Sequence, residues 1–446
     1  MLEKTYIDRG GPAVDIDNRE LEELFSSALS RALSDINISG PVIILPPDIT
    51  RFHSRAGFLT ETASRVLGGR LGAVLPALGT HMAMNDAELK RMFGDTPREK
   101  FIVHDWRNDI TELGRIEENW VEKAAEGAVR YDWPVQVNKI LRKDGQSGNF
   151  SLALSIGQVV PHEVAGMANH AKNLFVGTGG KEAIDKSHFA GAAYGMERIM
   201  GKTDTPVRAL FDEGLRRFSG ELPPILWVLT VIGARTDNEA QAAGKECGSL
   251  AVRGLFIGFG RECFEKAASL SREVNVNLEN ELVNKVVVYL EPEEYRTTWL
   301  GNKAIYRTRM VIADGGELLI LAPALERFGE DPGIDALIRK YGYRPGKEII
   351  AKTASDAELG GNLSAAAHLI HGSGEGRFTI RYCPGEKLSR QEIESVGFQW
   401  GDLNEARERF DISKLASGWN TLSDGEKIFY VPNPALGLWA EKRRFG

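Results

Sequence analysis

Residues 41–81 read PVIILPPDITRFHSRAGFLTETASRVLGGRLGAVLPALGTH. Pro41 to Leu45 is a short apolar run bounded by prolines, the pattern of a buried strand. Ala56 to Leu67 then reads as a helix, and Leu71 to Leu78 as a second strand. Strand, helix and strand in that order predict a parallel pair inside an α/β sheet. In such sheets ligands bind outside the carboxyl ends of the strands. Both ends carry chemistry here: Asp48-Ile-Thr-Arg51 after the first strand, and Gly79-Thr80-His81 after the second.

The same alternation extends outward. Before it, Leu21, Leu24, Phe25, Ala28, Leu29 and Leu33 fit one face of an amphipathic helix capped by Asn18. After it, Asn85 caps a helix over Asp86–Phe93, and Phe101–His104, Phe150–Ile156 and Ile225–Ile232 read as strands. Asn238 to Glu273 is helix-like. The polar, acidic run Asn275–Asn284 marks a domain boundary. Beyond it the pattern restarts, with strands at Lys285–Leu290, Glu317–Ala322, Ile349–Ala351 and Phe378–Tyr382. Helices are predicted over Tyr295–Ala313, Gly333–Tyr341 and Asn362–His371, with a turn at Asp314–Gly316. The expected fold is α/β, with two lobes of mainly parallel sheet and the active site in the cleft between them. The first lobe would span residues 1–274 and the second 275–446, the last residues being free to return to the first.

The chain has 446 residues, 42% hydrophobic and 26% charged, with net charge −7. Two domains suit that length. No block of lysine and arginine is present, which argues against nucleic acid as the main partner. Cys247, Cys263 and Cys383 are too few and too far apart for a disulfide framework, so a reducing cytoplasm is expected. MLEKTYIDRGG contains no apolar signal core, and no run of about 18 apolar residues predicts a membrane span.

A second stretch, Pro161 to Phe189, concentrates the reactive residues. PHEVAGMANHAKNLFVGTGGKEAIDKSHF holds His162, His170 and His188, three of the eight histidines, together with Lys172. Imidazole ligates metals or moves protons, and a lysine at a reacting centre can become a covalent anchor. Gly177, Gly179 and Gly180 precede a helix, where exposed N–H groups suit a phosphate; helix–loop packing explains the glycines equally well. His81 and His162 each read either as structural or as functional histidines. His104 reads as structural, and His368 and His371, three apart on one helix, as surface or packing residues. Asp48 and Arg51 are either a loop ion pair or a grip for a carboxylate or phosphate. Walker, zincin and nucleophile-elbow motifs are missing, and no strand-linked G-x-G-x-x-G occurs in the first lobe.

Taken in order, D-x-T-R (Asp48, Thr50, Arg51), G-x-H (Gly79, His81), P-H-x-x-A-G (Pro161, His162, Ala165, Gly166), Lys172 and His188 resemble the nickel-pincer lactate racemase family. Lys172 lies ten positions after His162, and His188 sixteen after Lys172. The segment from Tyr295 to Lys303, followed by Asp314-Gly-Gly316, resembles that family's substrate side. The resemblance implies a racemase or epimerase of 2-hydroxy acids. Lys172 would carry a thioamide-linked pyridinium mononucleotide that binds nickel, and His188 would complete the metal's coordination. His81 and His162 would be the two acid–base groups. Arg51 and Lys303 would hold the substrate carboxylate, Asp48 would orient a basic neighbour, and Gly177–Gly180 would be one place for the nucleotide phosphate. Its partners would be a small 2-hydroxy acid and cofactor-making proteins.

The chain departs from that pattern twice. Asn169-His170-Ala171 stands where glycine-glycine-arginine is expected before the lysine, and Leu300 stands in place of a glutamine. Leu300 removes a polar contact, while His170, His53 and Arg55 can add others, so a larger or sugar-derived hydroxy acid is expected rather than lactate. A 2-hydroxy acid oxidoreductase or lyase on the same scaffold, and a non-catalytic nucleotide- or anion-binding homologue, are the alternatives.

Overall fold

A computed structural model describes residues 3–143, 149–246, 248–435 and 437–446. Cys247, and residues 144–148 of the loop after Arg142, lie outside the described residues. The chain divides into two compact units: Met1–Ser187 with Gly201–Asn275, and His188–Met200 with Val276–Gly446.

The first unit is built on a six-stranded sheet. Its order is Lys4–Gly10, Leu250–Phe259, Ile225–Ala234, Leu152–Gln158, Val42–Leu45, Leu71–Val74. The last four strands are mutually parallel and the first two are antiparallel additions. Leu152–Gln158 is buried along its whole length, as a strand covered on both faces must be. The helix Asn18–Asp35 lays Leu21, Phe25, Ala28, Leu29, Ala32 and Leu33 into the core, joined by Leu59, Ala63 and Leu67 of Ala56–Leu67. Its cap is Asp17, whose side chain accepts from Glu20 N–H, and not Asn18. Asn85 caps Asp86–Phe93 as expected, in a reciprocal box with Glu88.

Three strand or helix expectations are corrected. Leu250–Phe259 is a strand inside the stretch expected to be helical; among the described residues the helices there are Asp237–Ala242 and Glu262–Asn275. LAVRGLFIGF is apolar on both faces, and such a run has no period that separates strand from buried helix. Phe101 makes only one bridge, to Val74, and His104 lies beyond it in a loop. Ile349–Ala351 is part of the helix Gly346–Ser355, of whose residues only Gly346 and Ile349 are buried. The Leu71 strand also ends early, at Val74.

The second unit carries a six-stranded sheet in the order Gln399–Trp400, Thr379–Pro384, Ile312–Ala322, Val283–Tyr289, Lys427–Val431, Gly418–Thr421. All neighbours are parallel except the last hairpin. The expected turn at Asp314–Gly316 is absorbed into the Ile312–Ala322 strand, with Gly315 at φ 81°. Leu438–Glu441 pairs with Val276–Glu279 within this unit. The fold is thus α/β with mainly parallel sheets. No helix among the described residues is long and apolar enough to cross a membrane.

Candidate acid–base site in the first unit

Asp48 follows the Val42–Leu45 strand and caps the tight turn Ile49–Ser54. One carboxylate oxygen, Oδ1, accepts from the N–H of Thr50 at 3.1 Å and from its hydroxyl at 2.5 Å. The other, Oδ2, meets His81 Nδ1 at 2.5 Å. His81 is brought there by the segment after Val74. Leu75 N–H donates to Ile44 O, and Ala77 N–H to Pro46 O, so the two strand-end loops stay side by side. Gly79 turns at φ 56°, a left-handed conformation suited to glycine, and donates its N–H to Gly177 O at 2.9 Å. Asp48 is 4% exposed, whereas the His81 side chain is 45% exposed. Burial alone would raise the Asp48 carboxyl. His81, Thr50 and Arg51 outweigh that and hold it down to about 2.

These contacts fix the tautomers of two histidines. A carboxylate only accepts, so His81 carries a proton on Nδ1, and in the neutral ring Nε2 presents a lone pair. His162 is the reverse. It sits in the hairpin of Pro161–His162 with Gly166–Met167 and is 7% exposed. Its Nδ1 accepts the N–H of Val164 at 3.1 Å, so in the neutral ring the proton is on Nε2. In the neutral rings, the Nε2 of His81 is an acceptor and that of His162 a donor.

Lys172 immediately precedes the π-turn Asn173–Gly177. The amide of Asn173 donates to Leu45 O and Ser155 Oγ, both at 3.0 Å, which pins this turn to the carboxyl end of one strand and the middle of its neighbour. Burial pushes the Lys172 amine down to about 8, helped by Arg51 and Arg208 and opposed by Glu163 and Asp48. Arg51, half-buried in the Ile49–Ser54 turn, thus acts electrostatically on both Asp48 and Lys172. Acylation of Lys172 by a small amine-reactive ester, followed by peptide mass, is therefore expected to titrate with a midpoint near 8. A midpoint near 10, the ordinary lysine value, would contradict this environment.

Other expected residues have different tasks. His170 is stacked on Trp227 and Phe264, with ring centroids 4.2 and 5.1 Å away, and its Nε2–H donates to Gly260 O at 3.2 Å. His104 is structural: Nε2–H donates to Gly179 O, and Asn138 donates to Nδ1. Arg55 reaches Asn18 on the first helix. The glycine turn is packed tightly. A Cβ on Gly177 would stand 2.6 Å from Ala77 Cβ, one on Gly180 2.5 Å from Gln136 Oε1, and one on Gly179 would strike the Phe175 carbonyl. Packing accounts for all three glycines.

Gln158 was not a sequence candidate. It ends the central strand, accepts from His53 Nε2–H at 3.0 Å, and leaves its own buried amide nitrogen without a hydrogen-bond partner. Only its place after an apolar strand signalled it. In the second unit, His188 lies in the helix Lys181–Tyr194. Lys303 opens the helix Lys303–Thr308, 5.5 Å from the Tyr295 ring centroid. His368 is buried, with its two ring nitrogens each 2.9 Å from the hydroxyls of Tyr306 and Tyr343.

The first unit thus carries a carboxylate-held histidine, a second histidine held by a backbone N–H, and a buried lysine of lowered basicity. Residues 17–198 match the family model of the lactate racemase N-terminal domain. That stretch is lactate racemase-like and makes up less than half of the chain. Two solved structures share the fold. A Thermotoga maritima protein, a structural genomics target, is 23% identical with TM-score 0.77, over 98% of this chain and 100% of that one. The lactate racemase apoprotein from Thermoanaerobacterium thermosaccharolyticum is 16% identical with TM-score 0.66, over 94% and 93%. No curated protein matches the chain.

Proposed function

We propose that this protein is an isomerase, a racemase or epimerase that inverts C2 of a 2-hydroxy acid with a nickel-pincer nucleotide attached to Lys172. The observation that carries this is the opposite protonation of His81 and His162 in one unit with a lysine of lowered basicity. The residues suit the group in two ways. An amine held near 8 is available as a nucleophile. Arg51 and Arg208 supply positive charge around it.

When bound, the group supplies reversible hydride acceptance from C2. The chain supplies the proton transfers and the grip. His81 Nε2 takes the hydroxyl proton of one isomer while C2 becomes planar. His162 Nε2–H would hydrogen-bond the oxygen on the other face and pass it a proton that solvent restores, while His81 releases its proton to solvent; each relay would contribute about 10²–10⁴-fold. Two histidines are required because the hydroxyl lies on opposite sides in the two isomers. Asp48 keeps the His81 base in its useful tautomer. Arg51 offers its planar fork to the substrate carboxylate. The roles of Lys303 as a second cation and of His188 as the protein's metal ligand rest on the sequence pattern. Leu300 favours a substrate larger than lactate.

Single isomers of 2-hydroxy acids and sugar acids, incubated with cofactor-loaded protein in deuterated water, test this. Loss of optical rotation without net oxidation or cleavage supports an isomerase; accumulation of a keto acid or fragments supports an oxidoreductase or lyase instead. A separate expectation concerns the metal. His188→Ala should lose nickel, while His81→Ala and His162→Ala keep it, as read by metal analysis of protein made alongside the cofactor-making proteins. Equal nickel in all three would remove His188 from its role.

A further inference from the structure

We infer that Arg208 is a positioning residue for Lys172, acting by clamping the left-handed pair Asn169–His170 that precedes it. The purpose of the clamp rests on Lys172 being the tether; its existence does not. Asn169 and His170 are consecutive non-glycine residues with φ of 69° and 57°. Such a pair is strained and persists only where its surroundings over-determine it.

The surroundings do so from several sides. Arg208, on the helix Pro206–Phe218, is fully buried. Its fork donates from Nη1 to Asn169 O at 3.2 Å and from Nη2 to Met167 O at 2.5 Å. Its guanidinium lies 4.4 Å from the Phe264 ring centroid, the same ring that stacks on His170. Its Nε has no hydrogen-bond partner. A buried guanidinium bonded to two carbonyls is a costly way to fill space, and burial, with Arg261 nearby, pushes its basicity down to about 9. A geometric task explains the cost. Asn169 Oδ1 also accepts from His170 N–H at 2.7 Å. His170 O then accepts from Asn173 N–H at 2.8 Å, closing the turn that contains Lys172. The direction in which Lys172 leaves the backbone is therefore set by two residues that Arg208 and the Trp227–Phe264 sandwich hold. The same guanidinium is one of the charges facing the Lys172 amine, with Arg51, Glu163 and Asp48.

A double-mutant cycle on the full chain tests this. The variants are Arg208→Met, Arg208→Lys and Asn169→Gly/His170→Gly, alone and combined. Glycine needs no clamp to stay left-handed. Removing the fork is expected to speed amide exchange across residues 169–173 about tenfold in the natural background, and less than about threefold in the glycine background. Arg208→Lys keeps the charge without the fork, so it should match Arg208→Met in exchange while leaving the Lys172 acylation midpoint near its natural position. Arg208→Met should move that midpoint upward. Equal acceleration of exchange in both backgrounds would mean that Arg208 is a general core residue, and the inference fails. If Arg208→Met does not fold, the Arg208→Lys arms decide the matter alone. Peptide mass of Lys172 from cells making the cofactor reports separately on the tether, so either idea can fail without the other.

Discussion

Asp48→Asn is expected to slow cofactor-loaded turnover by about 10³–10⁴-fold while leaving the fold intact. Oδ1 would still accept from Thr50, so the turn Ile49–Ser54 keeps its cap. The group facing His81 changes from an obligate acceptor to one that can donate. An amide N–H aimed at Nδ1 turns that nitrogen into an acceptor and moves the proton to Nε2, where a base is needed. His81 would then share the protonation of His162, and neither ring could take a hydroxyl proton. Nitrogen-15 shifts of the His81 ring, recorded on cofactor-free protein, should show Nδ1–H in the natural chain and Nε2–H in Asp48→Asn. An unchanged tautomer, or near-natural turnover, would break the assignment. The pH dependence follows with the sign of a depressed carboxylate. The Asp48 carboxyl is held at about 2, below the ordinary value of about 3.9. Its stabilisation is present above about pH 4 and is lost as pH falls through 2. The stability gap between natural protein and Asp48→Asn should therefore close over that window.

Much of this site was legible because strand-end loops are short and carry their chemistry in sequence. Asp48, Arg51 and His81 follow apolar runs, and the structure places the carboxylate on the imidazole. His162 and Lys172 were visible as unusual residues in an otherwise apolar stretch, though the opposite tautomers of His81 and His162 depend on one backbone N–H, that of Val164. What remained hidden was tertiary. Arg208 reads as an ordinary amphipathic-helix arginine, yet it is buried against two carbonyls. The left-handed φ values at 169 and 170 are ones glycine adopts without strain, so Asn and His need outside support there. The Leu250–Phe259 strand failed for a different reason: burial on both faces erases the alternation that distinguishes strands.

Lys172→Ala should abolish both the covalent adduct and turnover, leaving only background reaction, a loss of at least about 10⁶-fold if the site performs as enzymes usually do. The size of the effect comes from the amine itself. With its basicity at about 8, about a tenth of Lys172 is neutral at pH 7, against about one in 2,500 for an ordinary lysine near 10.4. That is a gain of about 200-fold in nucleophilic amine before any placement effect. Lys172→Arg separates charge from nucleophilicity. The guanidinium keeps the positive charge beside Asp48 and Glu163 but does not deprotonate in proteins. Arg should therefore be as inactive as Ala, although it preserves the local electrostatics better. Intact mass of each variant, made alongside the cofactor-making proteins, decides the point. An adduct of natural mass on Lys172→Ala would move the tether to another residue, and an adduct on Lys172→Arg would show that amine nucleophilicity is not what selects this position.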